Sequence, residues 1–448
     1  MDNSTTSIDT RRSILSSMQP VEMADIISHL SEKEQIAIFN ELAPEFAVKV
    51  FEFLPFHTQK FIINSLRPEQ TAHILKEMSP DDRTSFLEEL PPHHVSELLK
   101  LLPADERAVA LKLLGYPENS VGRLMTTDYM AIKMDWSVQQ VLDYIRKYGH
   151  DSETISILYV TDEDGKLIDD IRLKDFLFAP LNYKVSDLAD NKYIALLVNE
   201  SDEDAIKVFL HYDRTALPVT DDKGFLMGIV TIDDILELVN QVDTEDIQRM
   251  GGTEALEKPY MEIAFLELMK KRASWLIVLF LGEMLTATAM GYFEEEMAKA
   301  IVLTLFIPLI ISSGGNSGSQ ASTLIIRALA LGEVTLKDWW RVMRREVFSG
   351  FFLGSILGLI GFLRIGAWSM FTDFYGPHWL GIGFTVSFTL IGVVLWGTLT
   401  GAMLPFLLKK VGFDPAVSSA PFVATLVDVI GIIIYFVTAS IILHGTLL

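Results

Sequence analysis

The chain has 448 residues, half of them hydrophobic, no cysteine, and a formal net charge of −22. That length suits two or three domains, and the lack of cysteine excludes disulfides, cysteine-ligated zinc or iron–sulfur centres and thiol catalysis. So acidic a chain is not expected to wrap a nucleic-acid backbone.

The charge is not spread evenly. Residues 1–269 hold 25 Lys/Arg and 49 Asp/Glu, whereas residues 270–448 hold 12 and 10. With a mean hydropathy of +0.30, this reads as an acidic soluble module joined to a membrane module. The first residues, MDNSTTSIDTRRS, carry no apolar core, so residues 1–20 read as a tail and not as a signal peptide.

Residues 21–124 contain a repeat. Leu30, Leu42, Leu54, Leu66, Met78, Leu90 and Leu102 recur every 12 positions, with prolines at 44, 55, 68, 80, 91 and 103. Proline starts or stops helices, so the spacing predicts helices of about ten residues. Each is too short to bury its apolar face alone, and they should stack as a superhelical α-domain.

A second repeat follows at an offset of 59. Leu158-Tyr159-Val160-Thr161-Asp162 matches Leu217-Pro218-Val219-Thr220-Asp221, and Arg172-Leu173-Lys174-Asp175 matches Thr231-Ile232-Asp233-Asp234. Each copy predicts strand, Asp/Gly turn, strand and helix, preceded by a helix at Val138–Lys147 or Asp202–Tyr212. Residues 125–182 and 183–240 thus resemble a tandem pair of α/β CBS domains, and Gly228-Ile229-Val230-Thr231-Ile232-Asp233-Asp234 looks like that family's closing motif. The resemblance implies an adenine nucleotide such as ATP in the cleft, with Thr231 and Asp234 at the ribose. The first copy has Asp169 and Arg172 where the second has Gly228 and Thr231, so at most one nucleotide site is expected; a purely structural pair is the other reading.

Residues 241–271 should form a long connecting helix, interrupted near Gly251-Gly252 and carrying Asp243, Glu245, Asp246, Glu254, Glu257 and Glu262. These carboxylates, those of the turns (Asp221, Asp222) and those of the α-domain (Asp81, Asp82) have two readings. They are a solvated face, or they share divalent cations when pressed together. The acidic excess favours some relief by cations whenever the module is compact.

From residue 272 onward five apolar stretches are long enough to span a bilayer: Ala273–Phe293, Ala298–Leu331, Val347–Phe371, Trp379–Leu408 and Ala420–Leu443. Ten Lys/Arg sit at one set of ends (Lys270, Lys271, Arg272, Arg327, Lys337, Arg341, Arg344, Arg345, Lys409, Lys410) and two at the other (Lys299, Arg364). The positive-inside rule then places the N-terminal half in the cytoplasm and the C-terminus outside.

The second stretch carries Pro308 and then Ser312-Ser313-Gly314-Gly315-Asn316-Ser317-Gly318-Ser319-Gln320. Such residues should loosen the helix and leave carbonyls for a watery cavity, or else serve close packing of small residues. Asn316 and Gln320, one turn apart, favour a cavity wall, making Gly314, Gly315, Asn316, Gly318 and Gln320 candidate pore-lining residues. The fifth stretch holds Asp428. A carboxylate at that depth is costly and marks an ion path or a buried ion pair, and no span has a basic residue near its centre to pair with it. Glu283 in the first stretch either lines the same route or bonds to a hydroxyl such as that of Thr286. Asp414, before the fifth stretch, either caps the next helix or meets ions at the inner mouth.

With Pro308 before GGNSGSQ, the run Ala402–Leu408 (AMLPFLL) and Asp428 in TLVDVIG, the chain resembles the MgtE family of magnesium transporters over essentially its whole length. The resemblance implies a homodimer in a cell membrane, with a pore on its two-fold axis where Asp428 of each copy binds hydrated Mg²⁺. It also implies a plug helix that closes the inner mouth, with Asp414 helping to hold a cation between plug and pore. Further Mg²⁺ sensors are implied at interfaces between the N domain, the CBS pair and the plug helix; Asp243, Asp246, Glu254, Glu257, Asp221 and Asp222 are the candidates for these. Ala420 stands where some members have Asn. No partner beyond a second copy and the bilayer is implied, and no second catalytic motif accompanies Asp428, so an enzyme is not expected. The alternatives are a carrier of other divalent cations, an anion channel with CBS domains, and a membrane-bound sensor or hydrolase. Of these, soft metals are disfavoured by the lack of Cys.

Overall fold

The computed structural model describes residues 18–256, 260–261, 263–372 and 375–447. It divides into two compact units, Met1–Val239 and Asn240–Leu448.

The first unit opens with eight short helices between Pro20 and Leu114. Pro44, Pro68, Pro80 and Pro92 occupy first helical positions, where the missing N–H costs nothing. Leu42, Leu54, Met78, Leu90 and Leu102 are buried in one continuous core. The same 12-residue period also organises buried polar groups. Gln59 Nε2 donates to the Phe51 carbonyl, Thr71 Oγ1 to that of Ile63 and Arg83 Nη1 to that of Leu75, each reaching eight residues back. Each repeat thereby satisfies a carbonyl of the one before it, which unpaired would cost about 1–3 kcal/mol.

Two three-stranded sheets follow, β1 (Ala131–Lys133), β2 (Ile157–Thr161) and β3 (Leu167–Arg172), then β4 (Leu196–Leu197), β5 (Ala216–Thr220) and β6 (Leu226–Thr231). In both, the first pair is parallel and the second antiparallel. The offset of 59 holds to the residue: Ile157 pairs with Arg172 as Ala216 pairs with Thr231, and each pair has a register shift at the same place, Val160/Thr161 and Val219/Thr220. The hairpin glycines Gly165 and Gly224 both have positive φ. The hairpins join by reciprocal bonds, Leu167 N to Gly224 O at 3.0 Å and Leu226 N to Gly165 O at 3.1 Å, the mark of a pseudo-two-fold pair. Asp169 has a structural use: buried, it accepts from the backbone N–H of Asp170, Asp190 and Asn191.

The connecting helix differs from its expected course. It starts directly after β6 and runs Ile232–Met250, and the described residues between Gly251 and Ala264 are not helical. Gly252, at φ +77° with Trp275 Cδ1 only 2.9 Å from where its Cβ would be, ends the helix.

Among the described residues, the second unit contains five helices long and apolar enough to cross a membrane. The helical segments are span one Phe265–Tyr292, span two Ile307–Ala330, span three Trp339–Phe371, span four Trp379–Val411 and span five Ala420–Ile442. Span two is helical throughout, so the loosening expected at its Gly/Ser stretch does not occur. Its glycines serve close packing. Gly314 faces Val393 and Val427, and Gly318 faces Val423 and the Gly397 carbonyl.

Candidate functional site

Three places in the chain bring charged groups together. The first is the middle of spans one, two and five. Because Gly314, Gly315 and Gly318 are buried against spans four and five, the open face of span two is formed by Ser312, Asn316 and Gln320, at i, i+4 and i+8. Asn316 Nδ2 and Ser312 Oγ are 3.4 Å apart along that face. Asp428 is half-buried on span five. Its charged neighbour is a second acid, Glu283, and among the described residues no Lys or Arg pairs with it. The salt-bridge reading of Asp428 therefore finds no partner.

The second place is the loop before span five. Asp414 Oδ1 accepts from Ala416 N at 2.8 Å, capping the short helix Pro415–Val417. Its other oxygen holds the Arg249 guanidinium, which also reaches Glu245 at 3.0 Å. Asp243 pairs with Arg327 at 3.2 Å. Glu254 Oε1 accepts from Ser274 Oγ at 2.6 Å, and Asp246 lies on the same helix as Arg249. A cavity of about 340 Å³ opens here, lined by Arg249, Thr253, Glu254, Ala255, Trp275 and Val417. Glu257 and Glu262 lie outside the described residues. Arg249 and Arg327 are the residues sequence reasoning missed; Arg249 was marked only by its opposite sign among Asp243, Glu245 and Asp246, and Arg327 only as one of the basic residues at the span ends.

The third place is in the first unit, where the α-domain meets the second CBS-like repeat. Asp234 is pushed up to about 8 by burial, then by the Asp81 and Asp233 charges. Burial, reinforced by Asp82, raises Glu52 to about 7 and Asp81 to about 6. Glu153 rises to about 7 through burial and the Asp81, Asp233 and Asp82 charges. Asp81 is 7 % exposed and its Oδ1 has no partner among the described residues. Thr231 donates to Asp233 and, at 3.0 Å, to Asp234, so both nominated nucleotide residues belong to this acid group. Asp221 is occupied in its turn, accepting from Lys223 N and Phe225 N at 2.9 Å, and Asp222 is exposed. Nothing local in the sequence marks Glu52 or Glu153, since tertiary folding alone brings them near Asp81.

Residues 307–438 match the family described as MgtE, divalent cation transporter, residues 18–119 the MgtE intracellular N domain, and residues 121–182 and 185–241 the CBS domain. The chain is 37% identical over 339 residues to a magnesium transporter MgtE of Thermus thermophilus, covering 76% of this chain and 73% of that one. It is 34% identical over 434 residues to a magnesium transporter MgtE of Enterococcus faecalis, covering 96% and 93%. A crystal structure of the cytosolic domain of the Mg²⁺ channel MgtE in complex with ATP aligns with a TM-score of 0.50 at 30% identity, over 52% of this chain and 96% of that one.

Proposed function

Because this chain belongs to the MgtE family of magnesium transporters, we propose that it passes Mg²⁺ through a pore shared by two copies, at Asp428. The observation that carries the proposal is a membrane-depth carboxylate with no basic partner among the described residues, on a helix that packs against the glycine face of span two. Mg²⁺ dehydrates reluctantly and binds through one or two carboxylates while keeping its waters. Acids and amides that accept and donate hydrogen bonds to those waters suit it, whereas soft metals want thiolate or imidazole. A second copy completes the passage, since the polar face of span two is open in the single chain. The cytoplasmic side is that of Lys270–Arg272, by the excess of basic residues there.

In this reading closure is driven from the soluble half. The acid group around Asp81 and Asp234, with its orphaned buried oxygen, supports a cation sensor. Mg²⁺ bound there favours the compact arrangement, and its loss restores repulsion. A switch from mostly open to mostly closed needs ~5.5 kcal/mol of differential binding, within reach of several weak sites acting together. Near the membrane helices Arg249 already fills the cation position beside Asp414, so the tip of the connecting helix is held there by an ion pair. ATP, present in the related cytosolic domain, would be held at Thr231 and Asp234 through its ribose hydroxyls, because the surrounding acids repel phosphate.

Reconstituted vesicles test the proposal. Asp428→Ala should abolish Mg²⁺ uptake with the protein still monodisperse; uptake at the normal rate refutes a pore role for Asp428.

A further inference from the structure

Span one and span five run side by side in a steady register. Trp275 Nε1 donates to Ser419 Oγ at 3.2 Å and its ring packs on Phe422 with centroids 5.8 Å apart. A Cβ on Gly282 would meet Thr425 Cγ2 at 2.5 Å. Beyond the end of span one, Phe293 stacks on Phe436 at 5.0 Å. The Gly282–Thr425 and Phe293–Phe436 contacts share one sequence offset, so residues 283–286 stand level with Asp428.

Two side chains at that level are unexplained by packing. Glu283 lies in an apolar run beside Leu281, Met284 and Leu285 and is exposed in the single chain, yet its carboxyl reaches that of Asp428. A carboxylate turned to lipid is costly, so such a residue faces an ion path or a bundle interior. Thr286, on the same helix face as Gly282, is 7 % exposed and its hydroxyl has no partner among the described residues. That face is the one against span five, which aims the hydroxyl at the level of the two acids.

We infer that Glu283 is a second ion-site carboxylate, which together with Asp428 and the Thr286 hydroxyl helps to seat a hydrated divalent cation in the passage. The inference rests on Asp428 being a pore residue and adds what that residue alone does not supply. Two carboxylates within reach repel one another unless a proton or a cation lies between them. A divalent ion cancels both charges, whereas Na⁺ or K⁺ leaves one uncompensated. The pair therefore favours charge two over charge one, and retained water on Mg²⁺ donates to the acid oxygens.

The test uses the full chain in vesicles, with Mg²⁺ as probe. Glu283→Gln should raise the half-saturating Mg²⁺ concentration about tenfold and admit more Na⁺ and K⁺, and Glu283→Asp should restore most of both. Wild-type half-saturation and selectivity in Glu283→Gln overturn the inference. The chain has no cysteine, so Glu283→Cys offers a readout that does not depend on flux. A charged, membrane-impermeant thiol reagent should modify it from water, and Mg²⁺ should slow the reaction; a thiol that never reacts places residue 283 against lipid and overturns the inference. Asp428→Asn separates the two claims. If it transports normally, the pore reading itself fails; if it is inactive while Glu283→Gln behaves as wild type, only the role of Glu283 falls.

Discussion

Gly401 of span four packs directly on the Gly318 carbonyl of span two, with no room for a Cβ, and Gly397 meets the Gly314 carbonyl in the same way one turn away. Two helices touch backbone to backbone, the arrangement that small residues make possible in membranes. Gly401→Ala is expected to destabilise the membrane unit by about 1–3 kcal/mol, read as a lowered thermal midpoint in detergent. Gly291, with nothing within 4 Å of its would-be Cβ, is the control, and Gly291→Ala should be neutral or slightly stabilising. Equal effects of the two changes would refute the packing account.

Arg249 links the end of the connecting helix to Asp414 and Glu245. Arg249→Gln removes the tethered cation and leaves those acids to repel. The expected outcome is raised Mg²⁺ flux at low internal Mg²⁺, with closure shifted to higher Mg²⁺ by at most about fivefold, since a half-exposed pair is worth up to about 1 kcal/mol. Flux measured across an internal Mg²⁺ series checks this, and an unchanged closing curve would rule out the latch.

The acid group of the soluble half predicts a pH dependence. Asp234 lies at about 8, Glu52 and Glu153 at about 7 and Asp81 at about 6, all raised chiefly by burial. A carboxyl whose folded value is raised binds protons more tightly when folded. Its stabilising contribution is complete below the ordinary carboxylate range near pH 4 and is lost as pH climbs through 6 to 8. Without Mg²⁺ the soluble half should therefore lose thermal stability between pH 6 and 8. Added Mg²⁺ should restore more at pH 8, where the acids are ionised, than at pH 6. A Mg²⁺ shift that is equal at both values would contradict a sensor in this group.

Asp81→Asn tests the orphaned oxygen directly. Removing one buried charge from the group should raise stability in the absence of Mg²⁺ and shrink the Mg²⁺-induced shift in melting temperature. Limited proteolysis with and without Mg²⁺ offers a second measure, and full Mg²⁺ protection in this variant would exclude Asp81 as a contributor.

Much of this architecture was legible because it is periodic. The 12-residue leucine and proline rhythm, the offset of 59 and the five apolar stretches each state a local rule that packing then obeys. Asp428 was legible for a different reason, since a lone acid in an apolar run has few uses. The fate of the span-two glycines was not, because Gly and Ser suit a broken helix and a tightly packed one equally, and only the facing Gly397 and Gly401 decide between them. The connecting helix begins and ends earlier in the chain than its acidic run suggests. Its start is set by β6, where Thr231 donates to Asp233 and Asp234, and its end by the positive φ of Gly252. Glu52 and Glu153 have no sequence signature at all. Asp81 lies 29 residues from Glu52 and 72 from Glu153, and only the three-dimensional fold brings the three acids together.

The helix Ile232–Met250 has a mechanical consequence. It emerges from β6 without a joint and continues for 19 residues, about 28 Å at 1.5 Å per residue. A rigid rod of that length magnifies any pivot at its root, so a tilt of about 10° sweeps the far tip through about 5 Å. Arg249 rides at that tip. A displacement of that size exceeds the reach of an ion pair, so the Asp414 carboxylate pins the far end of the helix only while its tip stays still.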